Sequence, residues 1–303
     1  MASQTVNQSE PHVAVLGGRG QLGTELCKRL GCKGVCLDLP EMDVTDSVRV
    51  DNALKRFRFE TVINCAAMTN VDACEHQPGQ AFAVNALGAL HVARTSRQIG
   101  ASVVYVSSDY VFGGDAGHES PYDEQDSPDP INVYGCSKLA GENLTRHYNR
   151  DHYIVRTSGL YGHAGSRGKG GNFIETMLRL AEERRPIRVV NDQRLSPTHA
   201  SELAKRILKL METRCYGLYH IAAPDHCVWY EFACTIFEAC GLDVTPEPIT
   251  TEQYNAPADR PRCSALIGRH LTEVGIADCP GWREMLHHYL QESAMYKTQA
   301  AMS

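Results

Sequence analysis

The seven residues Gly17-Gly-Arg-Gly-Gln-Leu-Gly23 constrain this chain more than any other stretch. They follow a short apolar run over 12–16. They precede leucines at 22, 26 and 30, a four-residue recurrence that predicts a helix with one buried stripe. A strand, a glycine turn and an amphipathic helix, in that order, open a βαβ unit. Gly17, Gly20 and Gly23 permit the tight turn and let a diphosphate approach backbone N–H groups at the positive end of the helix. Arg19, Gln21 and Leu22 complete the candidate loop. Glycines alone prove little, since turns also need them; the flanking strand and helix give these three their meaning.

The rest of the chain continues the pattern. Apolar runs over 34–37, 61–66, 102–107 and 153–156 predict further strands, with helices over 46–57, 80–98 and 132–148 between them. Strands alternating with helices imply an α/β fold, a Rossmann-type doubly wound parallel sheet covered on both faces. Beyond about residue 157 the texture changes. A Gly-rich loop spans 162–171, helices are predicted over 172–184, 201–212, 229–240 and 282–291, and strands over 187–190 and 218–222. The expected organisation is a dinucleotide-binding domain over 11–157 and 187–224. A smaller C-terminal substrate-binding lobe takes 158–186 and 225–292, with flexible tails at 1–10 and 293–303.

Composition narrows the class. A chain of 303 residues buries a substantial core, with a soft prior of roughly two domains. The formal net charge of −6 argues against nucleic acid or an anionic membrane as the main partner. No basic n-region precedes an apolar stretch at the N-terminus, and no run has the hydrophobic length of a membrane span, so a cytoplasmic protein is expected. Twelve cysteines are scattered without a C-x-x-C pair. That spacing fits neither a zinc site nor a disulfide scaffold, so free thiols with no metal role are expected.

Asp38 closes the second strand 21 residues beyond Gly17, where an acid commonly bonds an adenosine ribose hydroxyl. A carboxylate there favours NADH, whereas Arg19 could pair with the 2′-phosphate of NADPH. Asp43 and Val44 are candidates for the adenine pocket. Cys65, Ala66 and Ala67 end the third strand with small residues that suit close passage of the cofactor, although core packing would select them equally.

Tyr134 and Lys138 lie four residues apart in a predicted helix, so both emerge on one face. An ammonium beside a phenol stabilises the phenolate and lowers a pKa that otherwise sits at about 10. Such a pair is a proton donor to a ketone oxygen as hydride arrives at carbon. Y-x-x-x-K also occurs by chance on surface helices; here it gains weight from the glycine loop upstream and from Ser107-Ser-Asp-Tyr-Val-Phe112, which follows the fourth strand at the sheet's carboxyl edge. Ser108 is the preferred hydroxyl for holding a substrate carbonyl against Tyr134, with Ser107 as the alternative and Asp109 beside it as a substrate contact. Lys138 would also bond the nicotinamide ribose. Asn85 is either a supporting amide behind the site or a helix-surface residue.

The glycine spacing is typical of the extended short-chain dehydrogenase/reductase group. Together with Asn64-Cys-Ala-Ala-Met-Thr-Asn-Val-Asp72, Ser107–Phe112, Val133-Tyr-Gly-Cys-Ser-Lys-Leu-Ala-Gly-Glu142, Arg156-Thr-Ser, Gly171-Asn-Phe, Asp192-Gln-Arg-Leu-Ser-Pro-Thr198 and Tyr254-Asn-Ala-Pro-Ala-Asp-Arg-Pro261, it resembles the dTDP-4-dehydrorhamnose reductase family over nearly the whole chain. That resemblance implies reduction of the 4-keto group of a dTDP-6-deoxyhexulose to dTDP-L-rhamnose with NADPH or NADH. Ser108 then matches the residue that polarises the ketone, Tyr134 the proton donor and Lys138 its partner. Family members often accept either cofactor, and some use Mg²⁺ and a homodimer, though no motif assigns metal ligands here. Arg260, Asn172 and Gln193 are candidates for the dTDP-sugar. Three departures bear on substrate fit: Gly159 replaces a usual aromatic, Cys263 stands where an Asn is common, and the loop between Phe112 and Tyr134 is longer. Two other readings stay open, an NADP-binding regulatory subunit like the methionine adenosyltransferase beta subunit and a nucleotide-sugar epimerase.

Overall fold

A computed structural model describes residues 12–164 and 171–300; the expected tail 1–10 and most of the Gly-rich loop lie outside the described residues. Strands β1 (Val13–Leu16), β2 (Gly34–Leu37), β3 (Thr61–Asn64), β4 (Ser102–Val106) and β5 (His152–Arg156) join Gly217–His220 in one six-stranded sheet. Every pairing is parallel, in the order Gly217–His220, β5, β4, β3, β1, β2. The chain runs outward from β1 to β2 and then crosses back to β3. Its direction therefore reverses beside β1, and the glycine loop leaves β1 at the carboxyl edge there, where such sheets bind ligands.

The strands are short and almost wholly apolar, as parallel strands covered on both faces must be. One face packs Leu16, Val44, Val50, Val62, Val92 and Val103 against the helices Ser47–Leu54 and Gly88–Gln98. The other face carries a larger cluster running from Val15 and Leu26 through Val155 and Leu203 to Phe232, Trp282 and Leu286. Fully burying each such side chain contributes about 1.5–3 kcal/mol. This second cluster crosses from the sheet into the predicted smaller lobe without a break.

Several expectations shift in detail. The predicted helix over 80–98 is three joined segments, Pro78–Phe82, a π-helical turn at Ala83–Leu87 and Gly88–Gln98. Arg188–Val190 does not enter the central sheet; it pairs with Glu247–Ile249 in a small sheet of its own. The last helix runs Trp282–Ala300, so the backbone expected to fray from 293 is helical to Ala300. The expectation of twelve free thiols fails at Cys27 and Cys36, which form a disulfide with Cα atoms 6.1 Å apart. Cys27 lies on helix α1 (Gln21–Leu30) and Cys36 on β2, and the β1–α1–β2 crossover folds that helix back over its neighbouring strand. A nine-residue separation carries no such signal in the sequence.

Candidate active site

The glycine loop is built to let something approach the backbone. Gly17 has φ +69°, and a Cβ there would sit 2.8 Å from the Ala66 nitrogen, so only glycine lets the loop lie against the end of β3. A Cβ at Gly23 would strike the Gly17 carbonyl. Gly20 N–H donates to that same carbonyl at 3.1 Å, which closes the turn at the start of α1. Asp38 holds the loop from β2: its carboxylate accepts the Arg19 N–H and the Leu39 N–H, each at 2.7 Å. The Arg19 guanidinium donates to the Leu39 carbonyl at 3.0 Å and stays half exposed at the rim. This cradle of N–H groups, a positive helix end and an adjacent arginine fits a dinucleotide diphosphate. Asp43 accepts from Thr45 and fixes the following turn. Val44 is buried and packs on Gly88, a core position more than a rim position. Cys65, which burial pushes up to about 12, and Ala66 lie directly behind Gly17.

Tyr134 and Lys138 sit on the helix Val133–Tyr148, whose first turn is capped by the Asn132 side chain through the Gly135 N–H. Two glycines press this helix onto the sheet. A Cβ at Gly135 would meet the Tyr110 carbonyl, and one at Gly141 the Asn85 carbonyl and the Tyr105 hydroxyl. Asn85 is fully buried in the π-helical turn, which removes its surface reading; it bonds both polar groups of Met68 and the Ser137 hydroxyl. Below the pair, Glu142 accepts two bonds from the buried Arg156 guanidinium at 2.8 Å and one from Ser107 at 2.6 Å. Ser107 is thereby committed to Glu142.

Ser108 faces the other way. It lies beside the Tyr134 phenol, whose pKa its hydroxyl pulls down, it accepts the Tyr110 N–H at 3.2 Å, and it donates to Asp109 at 2.9 Å. Tyr110 packs edge-on against Tyr134, ring centroids 5.8 Å apart. Lys138 is 2% exposed and donates to the Val106 carbonyl at 2.7 Å. One sequence expectation is reversed here. Burial raises the Tyr134 pKa above its ordinary value, and the opposing pull comes from the Ser108 hydrogen bond, because Lys138 is turned to a carbonyl. Burial in turn draws Lys138 down to about 8.

The predicted substrate contacts are placed less simply. Both amide hydrogens of Asn172 are spent on the Gly162 carbonyl and the Tyr289 hydroxyl, and its oxygen caps a helix through Glu175; it is a buried cap with no donor left for a ligand. Gln193 is buried and donates to Thr251 at 3.0 Å. Arg260 is paired with Asp72 at 2.8 Å and with the Ala258 carbonyl at 3.0 Å. Asp109, expected against the substrate, is buried and takes hydroxyls from Ser158 at 2.8 Å and Ser264 at 2.6 Å besides Ser108. Sequence reasoning missed Ser158 and Ser264, although Ser158 closes the quoted run Arg156-Thr-Ser and Ser264 directly follows Cys263.

Gly159 has φ +54°, and a Cβ there would come within 2.7 Å of Leu195. Leu195 and Pro197 thus close in on the place of the usual aromatic, and backbone strain opposes any side chain at 159. Cys263 is buried against the carbonyls of Glu119 and Ser120, in the lengthened loop. Among the described residues, His163, His199 and Glu292 form a group able to share a metal ion. Two of its three donors are nitrogens, which do not suit the oxygen preference of Mg²⁺.

Comparison with known proteins extends this picture. The family model described as RmlD substrate binding domain matches residues 11–295. The spore coat polysaccharide biosynthesis protein SpsK of Bacillus subtilis is 42% identical over 283 residues, covering 92% of this chain and 97% of its own. The dTDP-4-dehydrorhamnose reductase of Escherichia coli is 33% identical over 298 residues, covering 93% and 97%. The crystal structure of dTDP-4-dehydrorhamnose reductase from Bacillus anthracis in complex with NADP superposes with a TM-score of 0.88 at 39% identity, covering 93% of this chain and 99% of that one.

Proposed function

This chain belongs to the dTDP-4-dehydrorhamnose reductase family, and from that premise we propose that Tyr134, Ser108 and Lys138 carry out an NAD(P)H-dependent reduction of the C4 ketone of dTDP-4-dehydrorhamnose, giving dTDP-L-rhamnose. The observation that carries the assignment is the placement of the Ser108 hydroxyl beside the Tyr134 phenol at the sheet's carboxyl edge, on the same edge as the Gly17–Gly23 loop. A bound nicotinamide supplies the hydride. Gly17, Gly20 and Gly23 with Asp38 would hold the dinucleotide, and Arg19, half exposed at the rim beside Glu41, would meet a 2′-phosphate.

Tyr134 gives its proton to the ketone oxygen as charge develops there. Its raised pKa keeps the phenol protonated at neutral pH, so the donor is always loaded. The Ser108 hydroxyl, which pulls against the raised pKa, stabilises the phenolate that remains, and Lys138, held by the Val106 carbonyl, would bond the nicotinamide ribose. Tyr110 and the Tyr134 ring screen the site from water. Arg260, stiffened by its Asp72 pair and by flanking prolines, is the cation closest in sequence logic to the substrate diphosphate.

Incubation with dTDP-4-dehydrorhamnose and NADPH should consume one cofactor per sugar and yield dTDP-L-rhamnose by NMR. Tyr134→Phe should lower turnover about a hundredfold or more while leaving NADPH affinity within about twofold. A correctly folded wild-type protein that oxidises no cofactor overturns the activity; full turnover in Tyr134→Phe overturns the role of Tyr134. Stoichiometric cofactor loss also separates a reductase from an epimerase, which shows none.

A further inference from the structure

The Cys27–Cys36 disulfide sits against the glycine loop, at a place the reduction itself does not use. Gly18, buried in that loop, packs on both half-cystines. A Cβ at Gly18 would lie 3.1 Å from the Cys36 Cβ and 3.2 Å from its sulfur, and the Cys27 sulfur is 3.9 Å from the Gly18 carbonyl oxygen. The Gly18 N–H donates to the Leu37 carbonyl at 3.2 Å. Its neighbour Arg19 donates its own N–H to Asp38, two residues beyond Cys36. One covalent bond thus joins helix α1 to the strand end that carries Asp38, with the loop resting on it. Cys36 is exposed, which opens the bond to exchange with a small thiol.

We propose that Cys27 and Cys36 form a reversible redox link that sets the dinucleotide affinity of the loop. In the oxidised state the bond holds Gly18, Arg19 and Asp38 in the arrangement described above. A cradle ordered in advance leaves less to be ordered when a dinucleotide binds. Reduction exchanges the bond for two thiols. A small dithiol gives up two electrons and two protons and closes to a cyclic disulfide, leaving Cys27 and Cys36 each as S–H. Two thiol sulfurs cannot stay at the roughly 2.05 Å of a covalent bond, so they part. Gly18 packs directly on Cys36, so the loop and the Asp38 contact with Arg19 take up that movement. Linkage makes the effect mutual: a dinucleotide that favours the oxidised form protects the disulfide by the same factor. The inference rests on the reading of Gly17–Gly23 as the dinucleotide cradle, and it gives neither cysteine a part in proton or hydride transfer.

The test is calorimetric NADPH affinity of the full chain, equilibrated once in dithiothreitol and once in its oxidised, cyclic form. Mass spectrometry of the alkylated and digested protein reports the state of the pair. The oxidised protein should show Cys27 joined to Cys36 and should bind NADPH at least about fivefold more tightly than the reduced protein, the low end of ordinary coupling between sites. In a buffer that leaves both states populated, saturating NADPH should raise the ratio of disulfide to dithiol by the same factor. Cys27→Ser/Cys36→Ser should bind with the reduced affinity under both conditions, which separates this pair from the ten other cysteines. A smaller difference between the two wild-type states, tighter binding by the reduced form, or a pair that stays as thiols in the oxidising buffer overturns the inference and leaves the reductase assignment standing. Redox dependence that persists in the double variant overturns it too. A folded protein that binds NADPH in neither state overturns the cradle reading itself. Should the double variant not fold, the wild type alone decides: the affinity shift and the disulfide shift must match, and unequal shifts overturn the inference.

Discussion

Lys138 holds an ammonium at 2% exposure, 2.7 Å from the Val106 carbonyl and 4.4 Å from the Tyr105 ring centroid. Burial pulls its pKa from 10.5 down to about 8. Between those values the unfolded chain binds more protons at this group than the folded one, so the Lys138 contribution to stability rises with pH. The stability of the wild type relative to Lys138→Met should therefore rise by about 2 kcal/mol between pH 7.5 and 9.5 in denaturant titrations. A difference independent of pH would show that the lysine is not desolvated as described. The spacing of Tyr134 and Lys138 was enough to place them on one face. It could not reveal that burial dominates both groups and that Lys138 is turned to the Val106 carbonyl, since burial depends on elements far away in sequence.

The helix Val133–Tyr148 shows the same division at the next scale. Its start, its extent and the face shared by Tyr134 and Lys138 were legible from the run 132–148, because capping and periodicity are local. The reason for its remaining residues was not. Gly141 exists because Asn85 and Tyr105 approach there, Ser137 because Asn85 needs an acceptor, and Glu142 because Arg156 is buried beside it. Gly141→Ala should destabilise the protein by about 1–3 kcal/mol through overpacking. Gly79→Ala, where an added Cβ meets nothing within 4 Å, should be neutral or stabilising by about 0.5 kcal/mol. Paired denaturation curves check this; equal effects at the two sites would contradict the close packing of helix on sheet. The π-helical turn that presents Asn85 had no signature in the residues, which read as continuous helix.

At the scale of the whole molecule, the larger apolar cluster joins the sheet to Phe232, Trp282 and Leu286, so the nucleotide-binding unit and the smaller lobe share one core. Thermal unfolding is expected to show a single cooperative transition by near-UV and far-UV dichroism alike. Two separated transitions would mean that the lobes fold independently. Asp109, Arg260 and Asn172 illustrate what such long-range packing decides. Each stood in a run that resembled a substrate site, yet Asp109 is enclosed by serines from three segments, Arg260 is paired with Asp72, and Asn172 is spent as a helix cap. The amino-acid sequence by itself determined the α/β class, the glycine cradle, the Tyr134–Lys138 face and the reaction type, because periodicity, turn chemistry and side-chain spacing act within a few residues. Only the tertiary structure decided which hydroxyl faces Tyr134, where the Ser108 hydrogen goes and what burial does to the pKa values. Those depend on partners up to 155 residues apart, as Ser264 is from Asp109, and no local rule brings such residues together.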